Sequence, residues 1–117
     1  MTAAHRRAIA SLISKSEKAR QKLATGTWQH AMLQNNLEAL HIASALIIGG
    51  TNDPDSFTKD QLNQALGALA SMIEKTEKAA AKFSPGTSHH TLQRNRLEAL
   101  RLAEARTRSA LNDRKSA

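Results

Sequence analysis

The stretch SLISKSEKA at residues 11–19 recurs as SMIEKTEKA at residues 71–79. The correspondence extends without a gap from residues 8–46 to residues 68–106, each residue matching the one 60 positions later. About half of the paired residues are identical, and apolar pairs such as Leu12 and Met72 exchange one apolar side chain for another. The chain is therefore a duplicated unit, and the duplication decides the fold.

Each copy predicts a helix, a short turn and a second helix. Apolar residues recur at helical spacing on both sides of the turns GTWQH at 26–30 and GTSHH at 86–90. Glycine suits the left-handed position that ends a helix, and the threonine after it suits the N-cap of the next. One αα-hairpin leaves an apolar stripe exposed, so two should pack together. The predicted fold is all-α, an antiparallel four-helix bundle made of two tandemly repeated αα-hairpins.

The predicted organisation is one compact domain with three segments: a first hairpin repeat at 1–50, a linker at 51–57 and a second hairpin repeat at 58–117. Glycine, proline and aspartate between the two repeats mark the linker. Thr58 and Gln61 predict a capping box at the start of the third helix. We expect the fourth helix to end near Ala110 and a frayed polar tail to follow over Asn112–Ala117.

Composition limits the classes of function. The net charge is +7, from 17 Lys and Arg against 10 Asp and Glu, which favours a polyanionic partner such as a nucleotide, a nucleic acid or an acidic protein surface. The absence of cysteine excludes disulfides and thiolate metal sites. No apolar run has membrane-spanning length and the first residues lack a signal-peptide core, so we expect a soluble, cytoplasmic protein without a membrane partner.

The two turns form the first candidate binding site. A helix N-terminus offers free amides and a positive dipole, which suit an anion. A threonine at the cap, a lysine at the end of the preceding helix and a histidine in the first turn would strengthen such a site. Plain capping with surface histidines is the alternative. The residues concerned are Lys22, Thr27 and His30 in the first copy and Lys82, Thr87 and His90 in the second.

The second candidate lies on the second helix of each copy. Projected at about 100° per residue, Asn36 falls within the apolar face and Asn35 at its edge; the second copy holds Arg96 and Asn95 there. A polar side chain in an apolar stripe needs a hydrogen-bond partner, which a ligand would supply. Arg96 would clamp a phosphate or carboxylate, and the asparagines would contact a base or sugar. Alternatively, the asparagines bond to the backbone or to each other and Arg96 extends to solvent.

Two basic faces are further candidates. Arg94, Arg101 and Arg108 line up with His90 on the outer face of the fourth helix and would suit a DNA or RNA backbone. Intervening glutamates also fit an ordinary solvated face. A lysine set shares one side of the first helix of each copy and would form either a solvated face or the basic rim of a ligand cleft. Its members are Lys15, Lys18 and Lys22, and Lys75, Lys78 and Lys82.

Metal binding and catalysis find little support in the sequence. His89 and His90 are adjacent and so point about 100° apart on a helix, and no histidine pair has zincin-like spacing. No Gly-rich phosphate loop is present, and no carboxylate is paired with a nucleophile. We expect no cofactor, no metal site and no catalytic residues in a chain that is not an enzyme.

The stretches NLEAL at 36–40 and RLEAL at 96–100, each after a polar first turn, resemble the second helix of small phage anti-defence proteins that sequester cyclic nucleotide signals of bacterial immunity. Those proteins are not tandem duplications. The resemblance implies a non-enzymatic binder that assembles as a homo-oligomer and holds a nucleotide in a basic pocket. We therefore expect non-enzymatic binding of a small phosphate-bearing ligand, with a DNA- or RNA-binding protein and a helical protein–protein adaptor as alternatives.

Overall fold

The computed structural model of the chain describes residues 3–48 and 57–116, with the side chains of 48 and 114–116 excepted. It contains four α-helices: α1 (Ala3–Gln21), α2 (Trp28–Ile48), α3 (Lys59–Ala80) and α4 (Ser88–Ser116). The described residues include no strand, and the predicted all-α four-helix bundle is confirmed. Apart from Phe57, the linker expected at 51–57 lies outside the described residues. None of the four helices, as far as they are described, is long and apolar enough to cross a bilayer.

Helices that are neighbours around the bundle run antiparallel. Within the first hairpin Glu17 of α1 faces His41 of α2 at 3.9 Å, and within the second Glu77 of α3 faces Arg101 of α4 at 3.6 Å. These two contacts occupy equivalent positions in the two repeats, as a pseudo-two-fold axis requires. Around the bundle α2 packs on α3 and α4 packs on α1, while α2 and α4 also meet across it. Because α1 and α3 are parallel, both Gly-Thr turns point towards the same end.

One core joins the two hairpins. Leu40 of α2, Leu62 and Leu69 of α3 and Leu100 of α4 are completely buried against each other. Leu12 of α1 packs at the edge of this cluster. Each fully buried leucine contributes roughly 1.5–3 kcal/mol. Small residues between the leucines let the helices approach closely, namely Ala39, Ala43, Ala65 and Ala103.

The turns have the predicted chemistry. Gly26 and Gly86 have φ values of 93° and 90°, in the left-handed region that favours glycine. Thr27 Oγ1 accepts a hydrogen bond from the His30 backbone N–H at 3.2 Å, which confirms Thr27 as the N-cap of α2. Thr58 and Gln61 form the predicted capping box at the start of α3.

The fourth helix is longer than expected. The sequence predicts an end near Ala110 and a frayed tail over Asn112–Ala117, but α4 continues to Ser116. The reason is that Thr107, Ala110 and Leu111 are buried and extend the apolar stripe along α4. In the first repeat the positions of Ala110 and Leu111 hold Gly50 and Thr51, so the repeat itself gave no hint of this extension.

Candidate functional site

A cluster of cationic side chains lines a groove between α1 and α4. Lys15 and Lys18 lie on α1 and Lys22 directly follows its last residue, and their helical spacing places them on one side. Arg96 of α4 lies across from them. The groove has a volume of about 550 Å³ and is completed by Ser11, Ser14 and Ala19. This volume falls in the range of roughly 300–1,000 Å³ that is usual for small-molecule sites.

A second depression continues this groove towards α3. It shares Lys15 and Arg96 with the first and adds Lys75 and Thr76 of α3 and Gln93 of α4. The α3 lysine is the repeat counterpart of Lys15, so the two copies of this lysine line the same depression. We define the basic groove as the surface around Lys15, Lys18, Lys22, Lys75 and Arg96.

Arg96 has an unusual position within the basic groove. Its Nε atom is buried and has no hydrogen-bond partner among the described residues. Leaving a buried donor unpaired costs about 1–3 kcal/mol, so such groups call for a specific explanation. The first repeat has Asn36 at this position, which shows that the hairpin fold does not require an arginine here.

The positive charge of the basic groove is not neutralised locally. Two carboxylates on the same helices as these lysines contact other side chains: Glu17 lies 3.9 Å from His41, and Glu77 forms an ion pair with Arg101. Within the described part of the chain, no carboxylate lies within 4.0 Å of a cation of the groove. An anion entering the groove would therefore meet several unpaired cations at once.

The repeat equivalent of the basic groove is less basic. Ser14 of α1 corresponds to Glu74 of α3, which forms an ion pair with Lys78 at 3.1 Å. Arg96 corresponds to Asn36. Two substitutions between the copies thus concentrate the unpaired charge at one of two pseudo-symmetric places.

A second groove runs between α2 and α3, and we call it the Trp28 groove. It is lined by Trp28, Met32, Asn35 and Asn36 of α2 with Ala31 beside them, and by α3 residues Gln64, Gly67, Ala68 and Ser71. Its volume is about 490 Å³. One signal for this groove is visible in the sequence, a single tryptophan at a place where the other repeat has Ser88, but nothing in the sequence indicates that the ring is exposed.

The repeat equivalent of the Trp28 groove lies between α1 and α4. Asn95 lines it together with Arg7 and the exposed Leu92. Its volume is only about 240 Å³. The four residues predicted to form one polar site therefore lie in three places: Asn35 and Asn36 in the Trp28 groove, Asn95 in its counterpart and Arg96 in the basic groove.

The threonines of the two predicted turn sites cap helices. Thr27 Oγ1 donates to the Ala24 carbonyl at 2.9 Å, and Thr87 Oγ1 donates to the Ser84 carbonyl at 2.8 Å. Each hydroxyl also accepts the N–H of the histidine three residues later, that of His30 or His90, so capping accounts for both threonines without a ligand. Both turn lysines are exposed; Lys22 lines the basic groove, and Lys82 lies just after the end of α3.

The outer face of α4 presents the predicted arginines to solvent. Arg94, Arg101 and Arg108 are exposed, and Arg101 is held by Glu77. Across residues 3–48 and 57–116, no group of three or more His, Asp or Glu side chains is placed to hold a metal ion.

No protein-family model, curated protein or solved structure matches this chain.

Proposed function

We propose that the chain is a non-enzymatic binding protein that holds a small phosphate-bearing ligand in the basic groove. The observation that carries this proposal is the buried Arg96 Nε, which has no hydrogen-bond partner among the described residues. It lies beside four lysines that form no ion pair with a described carboxylate. A phosphate oxygen would supply the missing acceptor. It would also balance charge that the described part of the protein leaves uncompensated.

The residue types in the groove suit this ligand class. A guanidinium offers several N–H donors in a planar fork, which matches two phosphate oxygens. Lysines supply mobile charge that adapts to a second phosphate group. The net charge of +7 adds a long-range attraction for anions.

A nucleotide signal of bacterial immunity is the ligand class that we favour, with sequestration as the role. The resemblance of residues 36–40 and 96–100 to small phage anti-defence proteins supports this choice. Sequestration needs affinity and no chemistry, which agrees with a site built from cations. On this proposal the ligand leaves the protein unchanged.

Isothermal titration calorimetry with pyrophosphate tests the site. Arg96→Asn, which installs the residue of the first repeat, should weaken binding about tenfold or more, because a charged hydrogen bond contributes roughly 1.5–3 kcal/mol. Arg94→Gln also installs the residue of the first repeat and removes one charge, but from the outer face of α4. This matched control should bind pyrophosphate almost as the unaltered protein does.

A larger loss of pyrophosphate affinity in Arg94→Gln than in Arg96→Asn would favour the alternative function, binding of DNA or RNA. If Arg94→Gln weakens binding while Arg96→Asn does not, the exposed arginines of α4 form the binding surface. A DNA or RNA duplex would then be the better ligand, and its affinity should fall steeply with rising salt concentration. Binding in the basic groove should depend less on salt, because it involves few phosphates.

A further inference from the structure

We propose that the Trp28 groove binds the base of a nucleotide whose phosphates occupy the basic groove. This inference rests on the proposed function and specifies the ligand: a nucleotide whose base stacks on the indole ring of Trp28. It also assigns a role to the one tryptophan of the chain.

Trp28 is placed to meet a ligand and contributes little to the core. Its side chain is 70% exposed, although tryptophan carries a large apolar surface that folding normally buries. The equivalent residue in the second repeat is Ser88, so the start of the helix forms without an aromatic ring. An exposed aromatic face is a suitable stacking surface for any nucleobase.

The remaining lining of the groove suits the edge of a base. Asn35, Asn36 and Gln64 carry amide groups, each with two N–H donors and one carbonyl acceptor, as base edges require. Between them the surface consists of small residues. At Gly67 an added Cβ would meet no atom within 4 Å, so the space above this residue is open.

One side-chain contact links the lining of the Trp28 groove to that of the basic groove. Lys75 Nζ lies 3.6 Å from Met32 Sδ. Met32 lines the Trp28 groove and Lys75 lines the basic groove. A nucleotide crossing this contact would place its base against α2 and its phosphates against α1 and α4.

The repeat equivalent does not offer the same site. In that groove Arg7 replaces Gly67 and Leu92 replaces Met32, and its volume is about half that of the Trp28 groove. Ser88 replaces Trp28, which removes the stacking surface. The chain should therefore bind one base, despite its two repeats.

Binding of ADP and pyrophosphate to the full chain tests the inference, because both carry a diphosphate and only ADP carries a base. Trp28 is the sole tryptophan, so its fluorescence reports on this groove alone. We expect ADP to quench the fluorescence and to bind about tenfold more tightly than pyrophosphate, in line with the usual contribution of base stacking. Pyrophosphate should bind without quenching.

Two variants distinguish the contribution of the base to affinity from that of the phosphates. Trp28→Ser installs the residue of the second repeat and should remove the advantage of ADP while leaving the affinity for pyrophosphate unchanged. Gly67→Met should have the same effect by filling the groove, and it keeps the tryptophan as a reporter. Because Trp28 is exposed and the Gly67 site is open, neither change should disturb the fold, which circular dichroism would verify.

Failure of this inference is distinguishable from failure of the proposed function. If pyrophosphate binds through Arg96 but ADP binds no more tightly and does not quench, the base site is refuted and the proposed function stands. If neither compound binds, both are refuted. Fluorescence that changes with protein concentration and not with ADP would assign the Trp28 groove to a second copy of the chain and overturn the inference.

Discussion

Arg96 is the residue at which stability and binding oppose each other. Its buried Nε has no partner among the described residues, so the ligand-free fold bears the cost of an unpaired donor. Arg96→Met retains most of the aliphatic stem and removes the donor and the charge. We expect the free energy of unfolding to rise by about 1–2 kcal/mol, measured by urea denaturation without phosphate. A clear loss of stability would mean that Arg96 Nε has a hydrogen-bond partner in the ligand-free protein. The main support for a binding site in the basic groove would then be removed.

Arg96 could be identified as a candidate from the sequence, but the side chains around it could not. A charged side chain within an apolar stripe is visible in a single helix, which is why position 96 stood out. Its meeting with Lys15, Lys18 and Lys22 depends on how α4 packs against α1, which no pattern within one helix specifies. The exposure of Trp28 likewise depends on the position of α3, so the sequence showed an isolated tryptophan but no groove.

At the scale of the element, substitution of a turn glycine tests the left-handed backbone conformation of the turn. Gly86 has a φ of 90°, and a Cβ there would meet nothing within 4 Å, so any cost of Gly86→Ala comes from the backbone conformation. We expect this substitution to lower the free energy of unfolding by about 1–2 kcal/mol. Thermal denaturation followed by circular dichroism measures the change.

Gly67 provides the matched control within α3. It also has open space around its Cβ position, but it lies in a helix, where alanine is favoured over glycine by roughly 0.5–1 kcal/mol. Gly67→Ala should therefore raise the melting temperature while Gly86→Ala lowers it. Changes of the same sign in both variants would contradict the conformation described for the turn.

The elements were the most predictable part of the molecule. Gly-Thr turns and the Thr58–Gln61 capping box are local signals, since all their partners lie within a few residues. The end of α4 was missed for the opposite reason. Thr107 and Leu111 are buried by contacts with other helices, and a polar tail sequence alone does not reveal such contacts.

At the scale of the whole molecule, the two hairpins share one core and should not fold separately. Leu40 of the first hairpin packs with Leu62 and Leu100 of the second. In proteins, tertiary packing of the apolar face supplies most of the stability of a helix. Peptides comprising residues 1–50 and 57–117 should each show low helicity by far-ultraviolet circular dichroism and gain helicity when mixed. Cooperative melting of either peptide alone would show that one repeat is an independent unit.

The most direct test of the basic groove is the nuclear magnetic resonance signal of the Arg96 Nε–Hε group during a titration with pyrophosphate. If phosphate supplies the missing acceptor, this signal should shift markedly and its hydrogen should exchange more slowly with water, while the Nε–Hε signal of Arg94 changes little. A stationary Arg96 signal, with shifts confined to the arginines on the outer face of α4, would contradict the proposed site.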